Sequence, residues 1–564
     1  MEERATGRGL GRPGARCDTG GTVDVPEARR VRKWNGWGYV GEEPAPERIE
    51  GWRQTTGALA GVRAEDYRPP VPLEHIPLPP SRLGSDSAGG LPGLAGFRGR
   101  IVATPYERAL HAAGRSTGDL IRLRTGTNLR FPDAVAYPAD EDDLLRLLEY
   151  AERRRVALIP TGGGSSVVGG VEPDVPPTYT GVVSVDLRDL EGVVAIDRTS
   201  RRARVRAGTL GPDLEDALRR EGLAFRFYPQ SYACSTVGGW IATRAGGHFA
   251  TLHGKIDTAV EALRVVTARG RVETREVPQS ASGPDGKAWF IGSEGALGVI
   301  TEAVLRLQVP PARKRATGFR FVGFAEGLEA VRRIVQAGIY PPVLRLLDEY
   351  EAMVAFWGRA GMEPGAFLHL GFEVTDPDGE RAVTVAWEEA TRLCRAAGGR
   401  EVPPAGVQAW RGGFVQQPYW RDVMIDHGLV VDTLETATAW SRAAALREAV
   451  REALFRRMER WSAVAMVLCR VTHAYPDGCS LYFTFVLKPP REAMWAAWRD
   501  VQQAGLEAFL AHGATLSHHH GTGRDFAPFF EREHGPGHVA ALRALKAAFD
   551  PAGVLNPGVF FPAG

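Results

Sequence analysis

The sequence predicts an α+β protein with more than one domain. Its 564 residues are 44% hydrophobic and 24% charged, which is too balanced for a disordered chain and too long for one small module. A strand, a helix, a second strand and a glycine loop follow one another over residues 134–170. The pattern begins again after Pro310 and Pro311, so we expect a second α+β domain from residue 311.

Hydrophobic spacing predicts the elements of both domains. The first domain is expected to hold strands at 134–137, 156–159, 181–185, 202–205 and 263–267 and a helix at 140–155. The second is expected to hold strands at 318–322 and 342–346 and helices at 325–338, 381–397, 440–461 and 491–512. The last helix carries an apolar stripe of Met494, Trp495, Trp498, Leu506 and Phe509. Such a stripe is typical of core packing, and a lining for an apolar substrate is the alternative.

The first hundred residues are rich in glycine, proline and arginine and are expected to form an arm. Prolines at 69–80 exclude a helix or a central strand there, so this stretch should be extended. Residues 32–39 combine aromatic side chains with glycines, and we expect them to dock on the body of the protein. The expected divisions are an arm at 1–100, a first domain at 101–310, a second domain at 311–510 and a C-terminal strip at 511–564.

Charge and cysteine content exclude several classes of protein. The formal net charge is +2, from 69 Lys and Arg against 67 Asp and Glu, so nucleic acid is not an expected partner. No apolar run is long enough to span a bilayer, and residues 1–21 lack a signal sequence, so a cytoplasmic protein is expected. The five cysteines form no C-x-x-C pair, which favours free thiols.

The loop from Pro160 to Ser166 contains three consecutive glycines, Gly162 to Gly164, after a predicted buried strand. Glycines allow backbone N–H groups to converge on an anion such as a pyrophosphate. The loop is neither a G-x-G-x-x-G nor a P-loop motif. Taken alone, it is equally well explained as a structural turn.

Two later segments change the interpretation of this loop. Residues 229–246 contain Thr236-Val237-Gly238-Gly239, and residues 292–302 contain Gly295-Ala296-Leu297-Gly298. With the first loop, these segments resemble the three flavin-contacting segments of the vanillyl-alcohol oxidase and p-cresol methylhydroxylase superfamily. The resemblance implies a two-subdomain FAD-binding domain at 101–310, an α+β cap domain at 311–510 and a C-terminal strip that returns to the flavin.

The resemblance also implies the residues that contact FAD. From the first segment they are Pro160, Thr161, Gly162, Gly163, Gly164, Ser165 and Ser166. From the second they are Gln230, Ser231, Tyr232, Ala233, Cys234, Ser235, Thr236, Thr243, Arg244, Ala245 and Gly246. From the third they are Glu294, Gly295, Ala296, Leu297, Gly298, Val299 and Ile300. Relatives that tether flavin to the first loop have a histidine where this chain has Ser165, so non-covalent FAD is expected. A thioether to Cys234 is the less favoured alternative.

The second half of the chain separates two branches of this superfamily. In flavin-linked 2-hydroxyacid dehydrogenases, two segments supply histidines and a carboxylate to a metal or substrate. Here Tyr482 stands where the last histidine of one segment is expected, and His519 stands where the glutamate of the other is expected. Both departures instead resemble the alkyldihydroxyacetonephosphate synthase family, and the resemblance extends from about residue 30 to the C-terminus. Thr161, Ser165, Cys234 and Ala296 depart from that family's usual residues.

This second resemblance implies a redox-neutral reaction that exchanges the acyl chain of acyl-dihydroxyacetone phosphate for a fatty alcohol. It implies Tyr482 as acid/base, Arg345 as a residue required for activity and Arg421 as a substrate-binding residue. His518, His519 and His520 are expected to supply positive charge near Tyr482, with at most two of them facing the substrate. Peripheral membrane contact and a homodimer are also expected, without a bound metal.

Three functional hypotheses remain from the sequence. The first is the synthase, and the second is an FAD-linked oxidoreductase that oxidises a 2-hydroxy acid or small alcohol. The third is a flavin-binding protein whose cap no longer supports catalysis. For the three histidines, a solvated turn and a metal site are the alternatives to a catalytic role.

Overall fold

A computed structural model describes residues 30–84, 90–356, 364–402 and 417–562 of the chain. Cys17 and residues 1–21, which bear on the thiol and signal-sequence predictions, lie outside these ranges. Within them the chain forms three β-sheets with helices packed against them. The α+β fold class is confirmed.

The first sheet contains four strands in the order β1-β2-β4-β3. The strands are β1 Arg100–Val102, β2 Ala134–Tyr137, β3 Val156–Thr161 and β4 Gly181–Asp186. β2, β4 and β3 run parallel, and β1 is antiparallel at the edge. The helix Glu141–Arg154 is the crossover from β2 to β3, which run parallel on either side of β4. That helix starts where Asp140 caps the backbone N–H of Asp143.

The second sheet contains five antiparallel strands in the order β5-β6-β9-β7-β8. They are β5 Val193–Asp197, β6 Arg202–Arg206, β7 Val260–Thr267, β8 Gly270–Glu273 and β9 Val299–Arg306. The first sheet carries the glycine loop at the end of β3, and the third glycine segment leads directly into β9. The two sheets thus bring two of the predicted flavin segments to the same region.

The third sheet contains seven antiparallel strands in the order β13-β10-β12-β11-β15-β16-β14. They are β10 Arg313–Phe321, β11 Val343–Leu347, β12 Ala366–Val374, β13 Arg400–Val402, β14 Val430–Ala439, β15 Ala465–Ala474 and β16 Gly478–Leu487. β15 and β16 form a hairpin, and β14 pairs with β16 over ten residue pairs from Val430↔Leu487 to Ala439↔Gly478.

The helices cover both the sheets and the seams between them. They are α1 Pro46–Trp52, α2 Pro105–Leu110, α3 Thr117–Thr125, α4 Glu141–Arg154, α5 Gly211–Arg219, α6 Val237–Ala242, α7 Ala250–His253, α8 Ile256–Ala259, α9 Phe324–Gln336, α10 Glu349–Ala355, α11 Glu380–Ala396, α12 Gln417–Asp426, α13 Trp440–Met458, α14 Met494–Ala511 and α15 Ala527–Phe549. Short 3-10 and π turns join several of them. Within the described ranges, none of these helices is both long and apolar enough to cross a membrane.

The predicted elements agree with these bounds apart from their ends. The strand expected at 318–322 begins five residues earlier, at Arg313, and ends before the exposed Val322. The helix expected at 491–512 begins at Met494, after a 3-10 turn. Four of the five residues of its apolar stripe are buried in the largest core cluster, so the core interpretation is correct for them, whereas Trp495 is exposed.

Helix α15 was not predicted, because Gly535-Pro536-Gly537 interrupts its sequence. Gly535 adopts a φ of 79°, which breaks the helix into two parts. Pro536 follows this break and therefore occupies a position equivalent to the first turn of a new helix, where its missing N–H costs little.

The N-terminal arm docks through residues 32–39, as predicted. Trp34, Trp37 and Tyr39 are buried. The buried guanidinium of Arg115 donates hydrogen bonds to the carbonyl oxygens of Gly36 and Lys33. Beyond residue 39 the arm is not wholly extended, since it includes α1 and several short turns.

Candidate active site

A cavity of about 610 Å³ lies between the glycine segments and one face of the third sheet. Antiparallel register explains how that face is organised, because residues directly opposite each other point to the same side. Three rows cross β14, β16 and β15 in that order. They are Glu435–Tyr482–Arg470, Thr433–Thr484–Leu468 and Val431–Val486–Met466. The face is therefore polar at one end and apolar at the other.

The apolar end of the cavity reaches the N-terminal arm. Val431 and Val486 pack in one cluster with Trp52, Ala60 and Met424. Leu59 also lines the cavity and is 46% exposed, so the apolar end approaches the protein surface. A long hydrocarbon chain would gain about 0.8 kcal/mol for each methylene group buried along such a lining.

The first glycine loop packs too closely against the second segment to tolerate a side chain. A Cβ on Gly163 would lie 1.9 Å from the carbonyl oxygen of Cys234, and one on Gly162 would lie 2.1 Å from Thr236 Oγ1. Among the described residues, no protein group accepts a hydrogen bond from the backbone N–H groups of Gly163, Gly164 or Ser165. All three residues line the cavity. The loop therefore has the space and the free donors that a pyrophosphate requires.

Most of the predicted FAD contacts line this cavity. They are Pro160 to Ser166 in the first segment, then Gln230, Ser231, Ser235, Thr236, Thr243, Ala245 and Gly246, and finally Glu294, Gly295, Gly298, Val299 and Ile300. The structure brings all three segments together around one space. A flavin held here would face Tyr482, His519 and His520 across the cavity.

Six predicted contacts do not line the cavity: Tyr232, Ala233, Cys234, Arg244, Ala296 and Leu297. Arg244 points to solvent and pairs with Asp257, with 2.8 Å between Nη2 and Oδ2. Ala296 and Leu297 are buried in two separate hydrophobic clusters.

The location of Cys234 argues against a flavin tether. Its side chain packs with Trp37 and Tyr39 of the docked arm and does not line the cavity. Burial raises the pKa of this thiol to about 11. A buried, protonated thiol is a poor nucleophile. The Thr236 hydroxyl, two residues later, caps α6 by accepting from the backbone N–H of Gly239.

Glu435 organises the histidine loop, and sequence reasoning missed it. Its carboxylate accepts hydrogen bonds from the backbone N–H groups of His518, His519 and His520 at 2.8 to 3.0 Å, and from the Ser517 hydroxyl at 2.8 Å. Burial would raise the pKa of Glu435, but the neighbouring His519 side chain holds it well below its ordinary value. The available sequence signal was an acidic residue between Leu434 and Thr436 in a strand without other charge beyond Asp432.

The three histidines point in two directions, as expected for consecutive residues. His519 and His520 line the cavity. His518 turns away, and its Nε2 lies 2.6 Å from the Tyr475 hydroxyl. Burial lowers the pKa of His520 to about 4, and burial with nearby Lys255 lowers that of His518 well below its ordinary value. At least these two rings are therefore neutral near pH 7.

The prediction that the histidines supply positive charge to Tyr482 is therefore wrong for His518 and His520. Burial raises the pKa of Tyr482, and the opposing cations are Arg470 and Arg421. Arg470 Cζ lies 5.2 Å from the centroid of the Tyr482 ring. The His519 ring stacks against the same phenol with a centroid distance of 6.2 Å. Tyr482 thus rests as a protonated phenol beside arginines.

The arginines of the cavity differ in what they bind. The buried Arg345 donates to the carbonyl oxygens of Leu344, Thr472 and His248, so its guanidinium is occupied by main chain. Burial and nearby Arg470 lower the pKa of Arg345 to about 9. These contacts join β11 and β15 to the segment after α6, which fits a positioning role better than substrate contact.

Arg421 and Arg470 are better placed to bind an anion. Among the described residues, Arg421 has no ion-pair partner, and its Cζ lies 5.1 Å from the centroid of the Trp37 ring. Arg470 pairs with Glu351 at 2.7 Å between Nη2 and Oε1, but its buried Nε has no hydrogen-bond partner. Neither Arg470 nor Glu351 was singled out from the sequence.

Three histidines also come close enough to hold a metal ion. Nitrogen atoms of His473, His518 and His519 lie within 4.8 Å of one another. Each ring is already hydrogen-bonded inside the protein. His473 Nε2 lies 3.1 Å from the carbonyl oxygen of Gly247, and the Nδ1 atoms of His518 and His519 lie 3.0 Å apart. The three rings are thus joined to the protein and to one another by hydrogen bonds, and the absence of a metal stays a prediction.

Comparison with known proteins assigns the fold and the family. A model described as an FAD binding domain matches residues 132–275, and one described as the C-terminal domain of FAD linked oxidases matches residues 310–560. The alkyldihydroxyacetonephosphate synthase of Trypanosoma brucei brucei is 33% identical over 483 residues, which cover 82% of this chain and 79% of the relative. The chain belongs to the alkyldihydroxyacetonephosphate synthase family. FAD is its cofactor, as the three segments predicted.

Solved structures agree with the alkyldihydroxyacetonephosphate synthase family at the level of fold. A structure titled alkyldihydroxyacetonephosphate synthase superposes with a TM-score of 0.76 at 24% identity and covers 93% of this chain and 98% of that chain. A structure of p-cresol methylhydroxylase gives 0.64 at 15% identity and covers 82% and 94%. The predicted FAD domain with an α+β cap is thereby confirmed.

We predict that this synthase-family protein holds FAD without a covalent bond, because Ser165 cannot form the histidyl link and Cys234 faces away. The purified protein should be yellow, and acid precipitation should leave the flavin absorbance in the supernatant. Cys234→Ala should bind the same amount of flavin. Colour in the wild-type pellet that disappears in Cys234→Ala would instead establish a thioether.

We also predict that Glu435→Gln disrupts the histidine loop, because an amide NH₂ would face backbone donors in place of an acceptor. Hydrogen bonds to charged groups contribute about 1.5–3 kcal/mol each, so the midpoint of thermal unfolding should fall. Turnover should be lost while flavin absorbance is retained. Glu373→Gln removes a buried ion pair with Arg226 outside the cavity and serves as the control, with stability lowered but turnover retained. Normal turnover in Glu435→Gln would exclude the organising role.

Proposed function

We propose that this protein is an FAD-dependent alkylglycerone-phosphate synthase, which exchanges the acyl chain of acyl-dihydroxyacetone phosphate for a fatty alcohol without net redox change. One observation carries the proposal most directly. The cavity joins the flavin segments and a cluster of arginine, tyrosine and histidine side chains to an apolar end that approaches the surface. A phosphorylated headgroup and a long hydrocarbon chain need these two environments in one site.

The polar end is suited to the headgroup. Arg421 lacks an ion-pair partner among the described residues, and the Nε of Arg470 is buried without an acceptor. Guanidinium groups bind phosphate and carboxylate through paired hydrogen bonds. Both anions occur in this reaction, as the phosphate of both ketones and as the released fatty acid. The arginines would thus hold the headgroup while the acyl oxygen leaves.

Tyr482 and the neighbouring imidazoles are the groups placed to transfer protons. The Tyr482 phenol is protonated at rest, so it first acts as a donor, to the ketone oxygen. His520 is neutral and lines the same cavity, so it is able to accept the proton beside the ketone. Bound FAD would supply the group that holds the dihydroxyacetone phosphate carbon while the acyl oxygen is replaced by the alkyl oxygen. Burial of the site limits competing attack by water.

The oxidoreductase alternative fits this site less well. A small hydroxy acid would use the polar end of the cavity but would leave the apolar row of Val431, Val486 and Met466 without a role. Tyr482 and His519 also replace the histidine and glutamate expected in that branch. The third hypothesis, flavin binding without catalysis, gives no reason for burying Arg470 without an acceptor on its Nε.

The expected setting of the protein follows from these substrates. Both carry long chains that reside in membranes, so we propose peripheral membrane contact where Trp52 and Leu59 approach the surface. A homodimer and a cytoplasmic location stay predictions.

Electron count separates the two main hypotheses. Under anaerobic conditions, lactate, glycolate or 2-hydroxyglutarate should leave the flavin oxidised. Palmitoyl-dihydroxyacetone phosphate should change the flavin absorbance, and added hexadecanol should restore it while palmitate and an alkyl ether appear in equal amounts. Mass spectrometry of the lipid products and stopped-flow absorbance are the measurements. Stoichiometric bleaching by a small hydroxy acid, without ether formation, would overturn the synthase in favour of the oxidoreductase.

Tyr482→Phe tests the proton donor. The variant should fold and bind FAD, because the ring remains, while turnover falls by about 10²-fold or more, the usual scale for a lost acid/base group. Tyr179→Phe, which removes a hydroxyl bonded to the carbonyl oxygen of Gly553 outside the cavity, is the matched control and should keep normal turnover. Turnover of Tyr482→Phe within twofold of the control would remove this phenol from the reaction.

A further inference from the structure

The proposed exchange releases one proton per turnover, and this inference rests on that function. An ester and an alcohol give an ether and a carboxylic acid, so the alcohol O–H bond breaks and the ester C–O bond is replaced by an ether C–O bond. A carboxylic acid has an ordinary pKa near 4, so near pH 7 it leaves as a carboxylate. The alcohol proton must therefore reach solvent from a buried cavity.

The apolar end of the cavity is a poor exit for this proton. During turnover it would be filled by hydrocarbon chains against Val431, Val486 and Met466. A proton moves readily only between oxygen or nitrogen atoms within hydrogen-bond distance, about 2.6–3.2 Å. The exit must therefore start from a polar side chain at the other end of the cavity.

A continuous line of such atoms leaves the polar end. The His519 ring lines the cavity, and its Nδ1 lies 3.0 Å from Nδ1 of His518. Nε2 of His518 lies 2.6 Å from the hydroxyl of Tyr475. Tyr475 is half-buried at the β15–β16 turn, directly before the exposed Pro476 and Asp477. Two hydrogen bonds thus lead from the cavity to a half-buried tyrosine at a turn whose next two residues are exposed.

We propose that His519, His518 and Tyr475 form a proton exit from the active site. The alcohol proton passes to the His519 ring, whose Nδ1 proton passes to Nδ1 of His518. The Nε2 proton of His518 passes to the Tyr475 oxygen, and the Tyr475 hydroxyl proton passes to water. One proton enters and one leaves, so no oxidant or further reactant is needed.

Charged groups of both signs lie along the line. The Glu435 carboxylate lies 3.2 Å from Nδ1 of His519, so a negative charge is beside the ring that starts the line. The Lys255 ammonium donates a hydrogen bond to the carbonyl oxygen of His518, and its charge disfavours a positive charge on the His518 ring. Burial raises the pKa of Tyr475, Asp257 and Glu435 raise it further, and Arg345 opposes them. The Tyr475 hydroxyl therefore holds its proton at rest and releases it to water only as the Nε2 proton of His518 arrives.

Tyr475→Phe tests the exit, because it removes the last hydroxyl and leaves the cavity lining intact. With wild-type FAD content, its kcat should fall by about 10²-fold, the lower end for a lost proton-transfer group. The solvent deuterium isotope effect on kcat should rise, and added imidazole should restore turnover by accepting the proton in place of Tyr475. A structural defect would not respond to imidazole. Tyr179→Phe is the matched control, with none of these changes.

A second variant places the residues on one path. In His518→Gln, turnover should fall similarly, and the double variant with Tyr475→Phe should be no slower than the slower single variant. Independent, multiplying losses, or wild-type turnover in Tyr475→Phe, would overturn the exit. If the wild-type protein forms no alkyl ether, the proposed function fails first and the exit with it. Ether formation by the wild type with unchanged variants would overturn the exit alone.

Discussion

The arrangement of the active site depends on one buried carboxylate. Glu435 accepts three backbone N–H groups of consecutive histidines and the hydroxyl of Ser517, and it lies opposite Tyr482 on the adjacent strand. One carboxylate therefore gathers the backbone of the whole histidine loop onto the third sheet. A carboxylate buried to this extent is costly unless its lone pairs are used, and here the donors that use them come from the loop that it positions.

A second constraint fixes the flavin side of the cavity. Gly162 and Gly163 approach the second segment so closely that no side chain fits, while Glu294 of the third segment accepts N–H groups of Thr522 and Gly523 just after the histidines. The cofactor segments and the histidine loop are thus bonded to each other directly. Glu435 and Glu294 hold the loop from opposite sides of the cavity.

The sequence predicted those parts of the molecule that rest on local pattern. Hydrophobic periodicity located five strands and the longest helix of the first domain, and the glycine segments indicated the cofactor. Neither signal revealed Glu435, Arg470 or Glu351, because their roles depend on partners that are distant in sequence. The cross-strand neighbour of Glu435 is more than forty residues away, and the ion-pair partner of Glu351 is more than a hundred residues away. Cys234 and Arg244 were predicted to contact FAD but do not line the cavity. The reason is related: a motif identifies a segment, whereas backbone geometry decides which of its residues face the ligand.

A break in strand register explains how the third sheet presents both Arg470 and His473 to the cavity. Regular alternation would place Arg470 and His473 on opposite faces, since they are three residues apart. The pairing of β15 with β16 shifts between Val471 and His473, so that His473 lies opposite Ser480 and also lines the cavity. Bulges of this kind redirect side chains beside active sites. At the same irregularity, the carbonyl oxygen of Thr472 accepts a hydrogen bond from Arg345. Arg345, which the family resemblance implies is required for activity, therefore stabilises the bulge that turns His473 toward the cavity.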